Sequence, residues 1–491
     1  MFNCSMPLNP DVCYEALLSH DARFDGTFFV GVRSTRVYCR PICRVKQPKK
    51  ENCVFFARPE LAEAAGFRPC LRCRPELAPG LASLNGASEL VSAAWKLMAS
   101  GEMDGQTLDD YAAALGVSGR HLRRRFLQEL GVTPLAVTRT RRLLLAKQLV
   151  TDSALPLGEV ALASGFGSLR RFNDEFRLAY RMPPSSLRKR RKMSKVPLPE
   201  SDGETGGQLV CRLGYRPPFH WQALLAFLAS RSIVGVEQID SSSYCRTVEI
   251  QGRKGWIRVT NDAQHSFLEV EHSSSLFPVT QALLERVRQL FDLNAEPARI
   301  ATVLGDLAAA NPGLRVPGAF NQFEMAVRAI IGQQVSVRGA STLAGRLAVV
   351  FGEPVETPLP QLKRLSPRAA DLAAASVETL QKIGLTRARA TTIQNLAEAV
   401  ASGRIDLGGL VSSAARRERL LTVPGIGPWT VDYLEMRAFR QPDAFPAGDL
   451  ALRKALGVTT SDAALETAER WRPWRAYAVV HLWKSLEQKA L

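Results

Sequence analysis

Long hydrophobic runs are missing from this chain: nowhere does it approach the roughly 18 consecutive apolar positions that a membrane-crossing helix requires. The opening MFNCSMPLNP also lacks the basic then apolar plan of a secretory signal, so a soluble, cytoplasmic protein without a membrane partner is expected. Cysteine is absent after Cys245, which leaves the second half without thiolates to hold an iron–sulfur cluster. Acidic residues are in deficit. Against 64 Lys and Arg stand 47 Asp and Glu, a formal charge of +17, which favours a polyanion such as nucleic acid over an acidic small molecule. At 491 residues the chain is too long for one domain, and about three to five are expected.

What is present begins with thiols. The nine cysteines crowd toward the N-terminal side, which in a chain of intracellular character argues for metal binding rather than disulfides. Cys39-x3-Cys43 and Cys70-x2-Cys73 are separated by 26 residues, and two short-spaced pairs of soft sulfur ligands fit one tetrahedral zinc ion. On spacing alone the ion is either a staple or the partner of a reactive sulfur. Cys4, Cys13, Cys53, Cys211 and Cys245 read as ordinary thiols. RVYCRPICR, ENCVFFA and AAGFRPCLRCRPE together resemble the N-terminal domain of the Ada adaptive-response family. The resemblance implies that Cys39 is both ligand and nucleophile, taking a methyl group from a DNA methylphosphotriester, while Cys43, Cys70 and Cys73 only hold the metal. Thiolate is the attacking form, zinc keeps sulfur deprotonated, and Arg40 is expected to attract DNA. Methylation would make the site less negative and so strengthen its hold on phosphates, in a switch that is consumed rather than turned over.

Two later stretches echo each other. TLDDYAAALGVSGRHLRRRFLQELG and LPLGEVALASGFGSLRRFNDEFRLAYR each read as a short apolar helix, a Gly turn, a Ser N-cap (Ser118, Ser168) and a basic helix. Such pairs can lay the second helix in the major groove of double-stranded DNA. From residue 120 to 192 there are 17 Lys or Arg against five Asp or Glu, most of the chain's excess charge. The doubled motif resembles an AraC-type DNA-binding domain. Arg120, His121, Arg123, Arg124, Arg170, Arg171 and Asn173 are the candidates for base or phosphate contact, and a regulator of this type implies RNA polymerase as a further partner. Residues 193–208, MSKVPLPESDGETGGQ, read as a linker. Ada proteins usually continue into an alkylguanine acceptor domain with a PCHR-like motif; this chain has none.

Beyond the linker, alternating runs (CRTVEI, GWIRVT, SFLEVEH) between the helices starting at Trp221 and Pro278 predict a small α+β domain, and the remainder reads as helical. LLTVPGIGPWT reads as two helices joined by a tight turn at Gly425 and Gly427, with Pro428 in the first turn of the second helix. The unpaired N–H groups of that helix start suit a DNA phosphate. Asp449 of FPAGD stands at another helix start. LTVPGIGPWT, FPAGD and RWRPWRAYAVVHLW together resemble the helix-hairpin-helix DNA glycosylases, in particular the 3-methyladenine DNA glycosylase II (AlkA) branch, as do LGYRPPFHWQALLAFLASR and NPGLRVPGAFNQFEMAVRAIIGQQVSV. The resemblance implies Asp449 as the catalytic carboxylate, Trp429, Tyr433, Trp474 and Phe227 as the walls of the base pocket, and Gln334 at the place of a wedge that fills the gap in the duplex. It also implies a monovalent cation at the hairpin carbonyls. Trp429 stands where bifunctional members have a Schiff-base lysine, so base removal without strand cleavage is expected.

The expected architecture is thus multidomain and mainly α with α+β parts: a Cys4 zinc domain (1–78), an AraC-type double helix-turn-helix (79–192), the linker (193–208), a small α+β sheet domain (209–294) and an all-helical helix-hairpin-helix glycosylase domain (295–491), acting as a monomer. The function that follows is excision of alkylated bases such as 3-methyladenine and 7-methylguanine, joined to methylphosphotriester sensing and transcriptional control. The alternatives are a regulator whose second half is a non-catalytic DNA clamp, and a glycosylase tethered by purely structural zinc.

Overall fold

The computed structural model describes residues 9–80, 87–101, 103, 106–193, 208–408 and 412–489. Cys4 and positions 194–207 of the expected linker lie outside the described residues.

The first unit is a four-stranded sheet of β1 (Phe29–Val32), β2 (Val37–Cys39), β3 (Cys53–Phe56) and β4 (Arg68–Pro69) in the order β3-β1-β2-β4. Its decisive feature is the one parallel pairing, β2 with β4. Parallel neighbours end at the same edge, so Cys39 at the end of β2 and Cys70 just after β4 emerge side by side, and the Cys70 N–H donates to the Tyr38 carbonyl at 2.9 Å. Long-range pairing thereby converts two distant cysteine pairs into one cluster.

Both repeated stretches form the expected helix pairs: Leu108–Ala114 with Gly119–Leu130, and Leu157–Ala163 with Leu169–Tyr180. Ser118 and Ser168 cap the second helix of each pair by accepting from the backbone N–H of His121 and Arg171, each at 3.2 Å. Gly116 and Gly165 take the left-handed φ values of +69° and +82° that end the preceding helices. Between the pairs runs the Pro134–Asp152 helix, with eleven buried residues. Among them is Lys147, whose ammonium lies 2.6 Å from Glu76 and donates to the Cys70 carbonyl at 3.0 Å. One of the 17 basic residues expected to meet phosphate is therefore a core residue.

The second sheet is antiparallel: β5 (Gln208–Gly214), β6 (Glu237–Ile239), β7 (Ser243–Ile250), β8 (Arg253–Asp262) and β9 (Phe267–Ser273), ordered β5-β9-β8-β7-β6. The helices Trp221–Ala229 and Thr280–Leu290 belong to the same unit, and the remainder is helical as expected, ending in Arg475–Lys489. The linker's composition suggests two separate halves, but one apolar core joins them. Leu143, Leu149, Phe172 and Phe176 of the helix-turn-helix region share it with Leu209, Cys211, Val270 and Leu283 of the sheet unit. Two further cores build the helical part, one around Ile330, Leu396 and Leu434, the other around Leu452, Trp471 and the C-terminal helix.

Candidate active site and metal centre

The hairpin joins the helices Ser413–Leu421 and Pro428–Arg437. Gly425 needs its residue type twice over: its φ is +90°, and a Cβ would collide with the Thr392 side chain. Gly427 does not, since φ is −98° and a Cβ would meet nothing within 4 Å, so what the residue leaves open is access to the helix start. The Gln333 side-chain amide braces the turn, donating to the Gly425 carbonyl and the Thr430 hydroxyl, each at 3.0 Å.

From Pro428 the helix presents Trp429, Tyr433 and Arg437 at i, i+4 and i+8, one face. Trp429 and Tyr433 stack with centroids 5.5 Å apart. The PAGD turn then delivers Asp449, which does cap a helix, its Oδ1 accepting from the Leu452 N–H at 2.8 Å. Capping does not exhaust it. The indole N–H of Trp483 donates to Oδ1 at 3.3 Å and that of Trp429 to Oδ2 at 3.4 Å, so a half-exposed carboxylate hangs between two indoles.

Trp483 and Phe227 face each other nearly parallel, with centroids 6.2 Å apart, in a shallow cleft walled also by Leu224, Arg315, Val480 and Lys484. Two nearly parallel rings with charged groups at the rim offer flat apolar faces to a planar group. Trp474, expected among its walls, is elsewhere. It is packed in the core against Tyr477, because it precedes the C-terminal helix instead of lying on its cleft face. Trp483, which sequence reasoning missed, takes the place beside Asp449. Its signal was present: Val480, Trp483, Lys484 and Glu487 all line the cleft at helical spacing.

Behind Tyr433 lies Arg437, buried and without a carboxylate; its guanidinium donates to the Pro317 and Gly318 carbonyls and, at 2.7 Å, to the Tyr433 hydroxyl. Burial lowers its pKa to about 10. Gln334 occupies an exposed turn before the Val337–Phe351 helix with φ +56°, an uncommon conformation for a residue with a side chain.

In the N-terminal unit the sulfurs of Cys39, Cys43, Cys70 and Cys73 all lie within 4.8 Å of one another. Zinc bound to four sulfurs at about 2.3 Å has an S–S edge of about 3.8 Å, so the cluster fits the ion with small adjustments. The Arg40 and Arg72 backbone N–H groups point at the sulfurs of Cys73 and Cys70, at 3.3 and 3.4 Å. Burial pushes the Cys13 thiol up to about 11 and raises Cys53, Cys211 and Cys245 too, which keeps these sulfurs protonated. The Arg40 side chain is turned inward: only 11% exposed, it pairs with Asp25 and donates to the Cys73 carbonyl at 3.2 Å.

On the helix-turn-helix pairs, Arg120, Arg123, Arg124, Arg170 and Arg171 are exposed and His121 and Asn173 half-exposed. Arg124 lies 3.2 Å from the His121 ring, and Arg171 pairs with Glu175 at 2.8 Å. No helix among the described residues is long and apolar enough to cross a membrane.

Comparison with known proteins assigns each part. Family models match residues 12–76 (metal binding domain of Ada), 111–190 (helix-turn-helix domain), 210–321 (AlkA N-terminal domain) and 327–472 (HhH-GPD superfamily base excision DNA repair protein). A Mycobacterium tuberculosis protein described as a probable bifunctional transcriptional activator/DNA repair enzyme AlkA is 38% identical over 492 residues, covering 97% of this chain and 96% of its own. The Escherichia coli DNA-3-methyladenine glycosylase 2 is 36% identical over 273 residues, 55% of this chain and 95% of that protein. A solved 3-methyladenine DNA glycosylase from Archaeoglobus fulgidus shares the fold of the second half, with a TM-score of 0.50, 21% identity, and coverage of 57% of this chain and 99% of its own.

Proposed function

This chain belongs to the family of bifunctional transcriptional activator/DNA repair enzymes, and from that membership we propose a monofunctional glycosylase for alkylated purines joined to a methyl-accepting, DNA-binding regulator. The observation that carries the first half is Asp449, a carboxylate held between two indole N–H groups beside an aromatic cleft.

Alkylation at N3 or N7 leaves a purine cationic and a good leaving group. The task is then to extrude the nucleotide, hold its electron-poor face on aromatic rings, and stabilise positive charge on the sugar. Trp429, Tyr433, Phe227 and Trp483 supply the rings, and Trp483 replaces Trp474 in this role. As the N-glycosidic bond breaks, its electron pair leaves with the base, whose charge is neutralised. Asp449 faces the oxocarbenium-like sugar, and water adds at the anomeric carbon and loses a proton. Trp429 offers no amine for a Schiff base, so the strand stays intact. The hairpin start at Gly427 and Pro428 grips a phosphate and Gln334 fills the emptied stack. The hairpin carbonyls are the candidate site for a monovalent cation.

For the front half, the Cys4 cluster suits zinc, which when bound keeps sulfur in the thiolate form. Cys39 attacks the methyl carbon of a phosphotriester, forming a C–S bond and releasing the phosphodiester. The exposed arginines of the two capped helices hold promoter DNA, and RNA polymerase is the partner that such a regulator addresses.

Incubating the purified chain with methylated duplex and quantifying free base tests the first half: 3-methyladenine should be released with the strand unbroken, and no release overturns it. Mass spectrometry after exposure to methylphosphotriester DNA tests the second, which requires an adduct of about 14 Da on Cys39, the net gain when CH3 replaces one hydrogen.

A further inference from the structure

The residues that follow the last cysteine of the cluster do not lead away from it. Arg74 takes a left-handed φ of +57°, a conformation that costs on the order of 1 kcal/mol or more for a residue with a side chain unless its surroundings fix it. They do: its guanidinium meets Glu76 at 2.9 Å and Asp152 at 2.6 Å. Glu76 in turn holds Lys147, which donates to the Cys70 carbonyl. Leu71, between the cluster's third and fourth cysteines, packs on the core shared by the two halves.

From there the segment Arg74–Gly80 runs against the glycosylase half backbone to backbone. A Cβ on Gly214 of β5 would collide with the Leu77 carbonyl, and one on Gly26 with the Pro79 carbonyl, so both glycines exist to let this strap through. Gly80 abuts the Asn294 side chain. Two residues beyond Gly214 is Arg216, wholly buried, donating to the Asn294 and Ala295 carbonyls at 3.2 and 3.4 Å, with its Nη2 beside Gly26. The Arg216 carbonyl accepts from Arg315 at 2.6 Å, and Arg315 is a wall of the cleft that contains Phe227 and Trp483.

We propose that the Arg74–Gly80 strap couples the thiolate cluster to the base pocket, so that metal loading of the cluster and occupancy of the cleft favour each other. The path is contiguous, with buried ion pairs at one end and a buried guanidinium at the other, so a displacement at one end meets close-packed groups all the way to the other. Coupling of this kind is reciprocal: whatever the cluster does to the pocket, a pocket ligand does to the cluster. The inference rests on the zinc site and the cleft assigned above.

The test uses the full zinc-loaded chain, a duplex carrying a tetrahydrofuran abasic site, and an undamaged duplex of the same sequence. In competition with a chelator at equilibrium, the chain's zinc affinity should be about fivefold higher with the abasic duplex than with the undamaged one, the low end of site-to-site couplings. Zinc removal should raise amide exchange in β5 and at Leu314 and Arg315. The difference between duplexes should vanish in Lys147→Met, with base release in the absence of chelator retained; if that variant does not fold, the wild-type comparison decides alone. Equal zinc affinities with both duplexes, in a chain that holds zinc and prefers the abasic duplex, overturn the strap alone. A chain that holds no zinc, or that shows no preference, overturns the functional reading and the strap with it.

Discussion

Asp449 does two things at once, and one substitution separates them. As an N-cap it accepts from the Leu452 N–H, a role that asparagine fills about as well, whereas alanine costs about 1 kcal/mol. In the proposed reaction its charge faces the place where the sugar becomes cationic. Two unit charges about 4 Å apart at an effective dielectric near 20 attract by about 4 kcal/mol, worth roughly 10³-fold in rate. Asp449→Asn should therefore keep the melting temperature within a degree or two of wild type, by roughly equal capping, while kcat/KM for 3-methyladenine release falls by about 10³. Asp449→Ala should lose the same activity and also about 1 kcal/mol of stability. Single-turnover release under excess enzyme reads the chemical step directly. Full activity in the asparagine variant, with stability lost in the alanine one, would reduce Asp449 to a cap and refute the reasoning.

The two tryptophans of the C-terminal motif should separate in the same way: Trp483→Ala lowers base release with little loss of stability, whereas Trp474→Ala, cut from the core, costs about 3–5 kcal/mol in denaturant titration. The buried Glu60 carboxyl is raised from 4.5 to about 7 by desolvation. Its stabilising contribution is complete below about pH 4.5 and lost as pH rises through about 7, on the order of 3 kcal/mol in all. Glu60→Gln should flatten that part of the stability profile of the N-terminal unit, measured by amide exchange between pH 5 and 8; an unchanged slope counts against a buried, neutral Glu60. Cys39→Ser should abolish the methyl adduct, while Cys53→Ser, at a raised and protonated thiol outside the cluster, keeps it.

The sequence carried the chemistry further than the packing. Cysteine spacing announced the metal cluster because each pair closes its own short loop, and the hairpin was legible because a turn with φ +90° on one glycine is a local event. What failed to be legible depended on partners far along the chain. Arg40 sits in a basic, DNA-like context, yet Asp25, fifteen positions earlier, folds across and buries it. Lys147 counts as one more charge in a basic run, but Leu143, Ala146 and Val150 are buried on the same helix at the spacing of one stripe, and a lysine inside an apolar stripe signals a buried partner. Trp474 drew the reading because it stands in the most distinctive part of its motif; the helix that decides which tryptophan faces the cleft begins only one residue later.

The polar stretch between the halves misleads for a related reason. Composition marks where the chain crosses solvent, not where cores end. Leu209, Cys211 and Leu213 of β5 are buried in the core they share with the helix-turn-helix region. The Gln148 side chain ties that helix to the Arg212 carbonyl at 2.8 Å. A core shared in this way removes the freedom that two tethered domains would have, so the hairpin and the capped helices, both proposed to grip DNA, are held by a single body. In such an arrangement the thiolate cluster and the aromatic cleft belong to one packed body, and under the proposed coupling metal loading of the cluster reaches the cleft through packing.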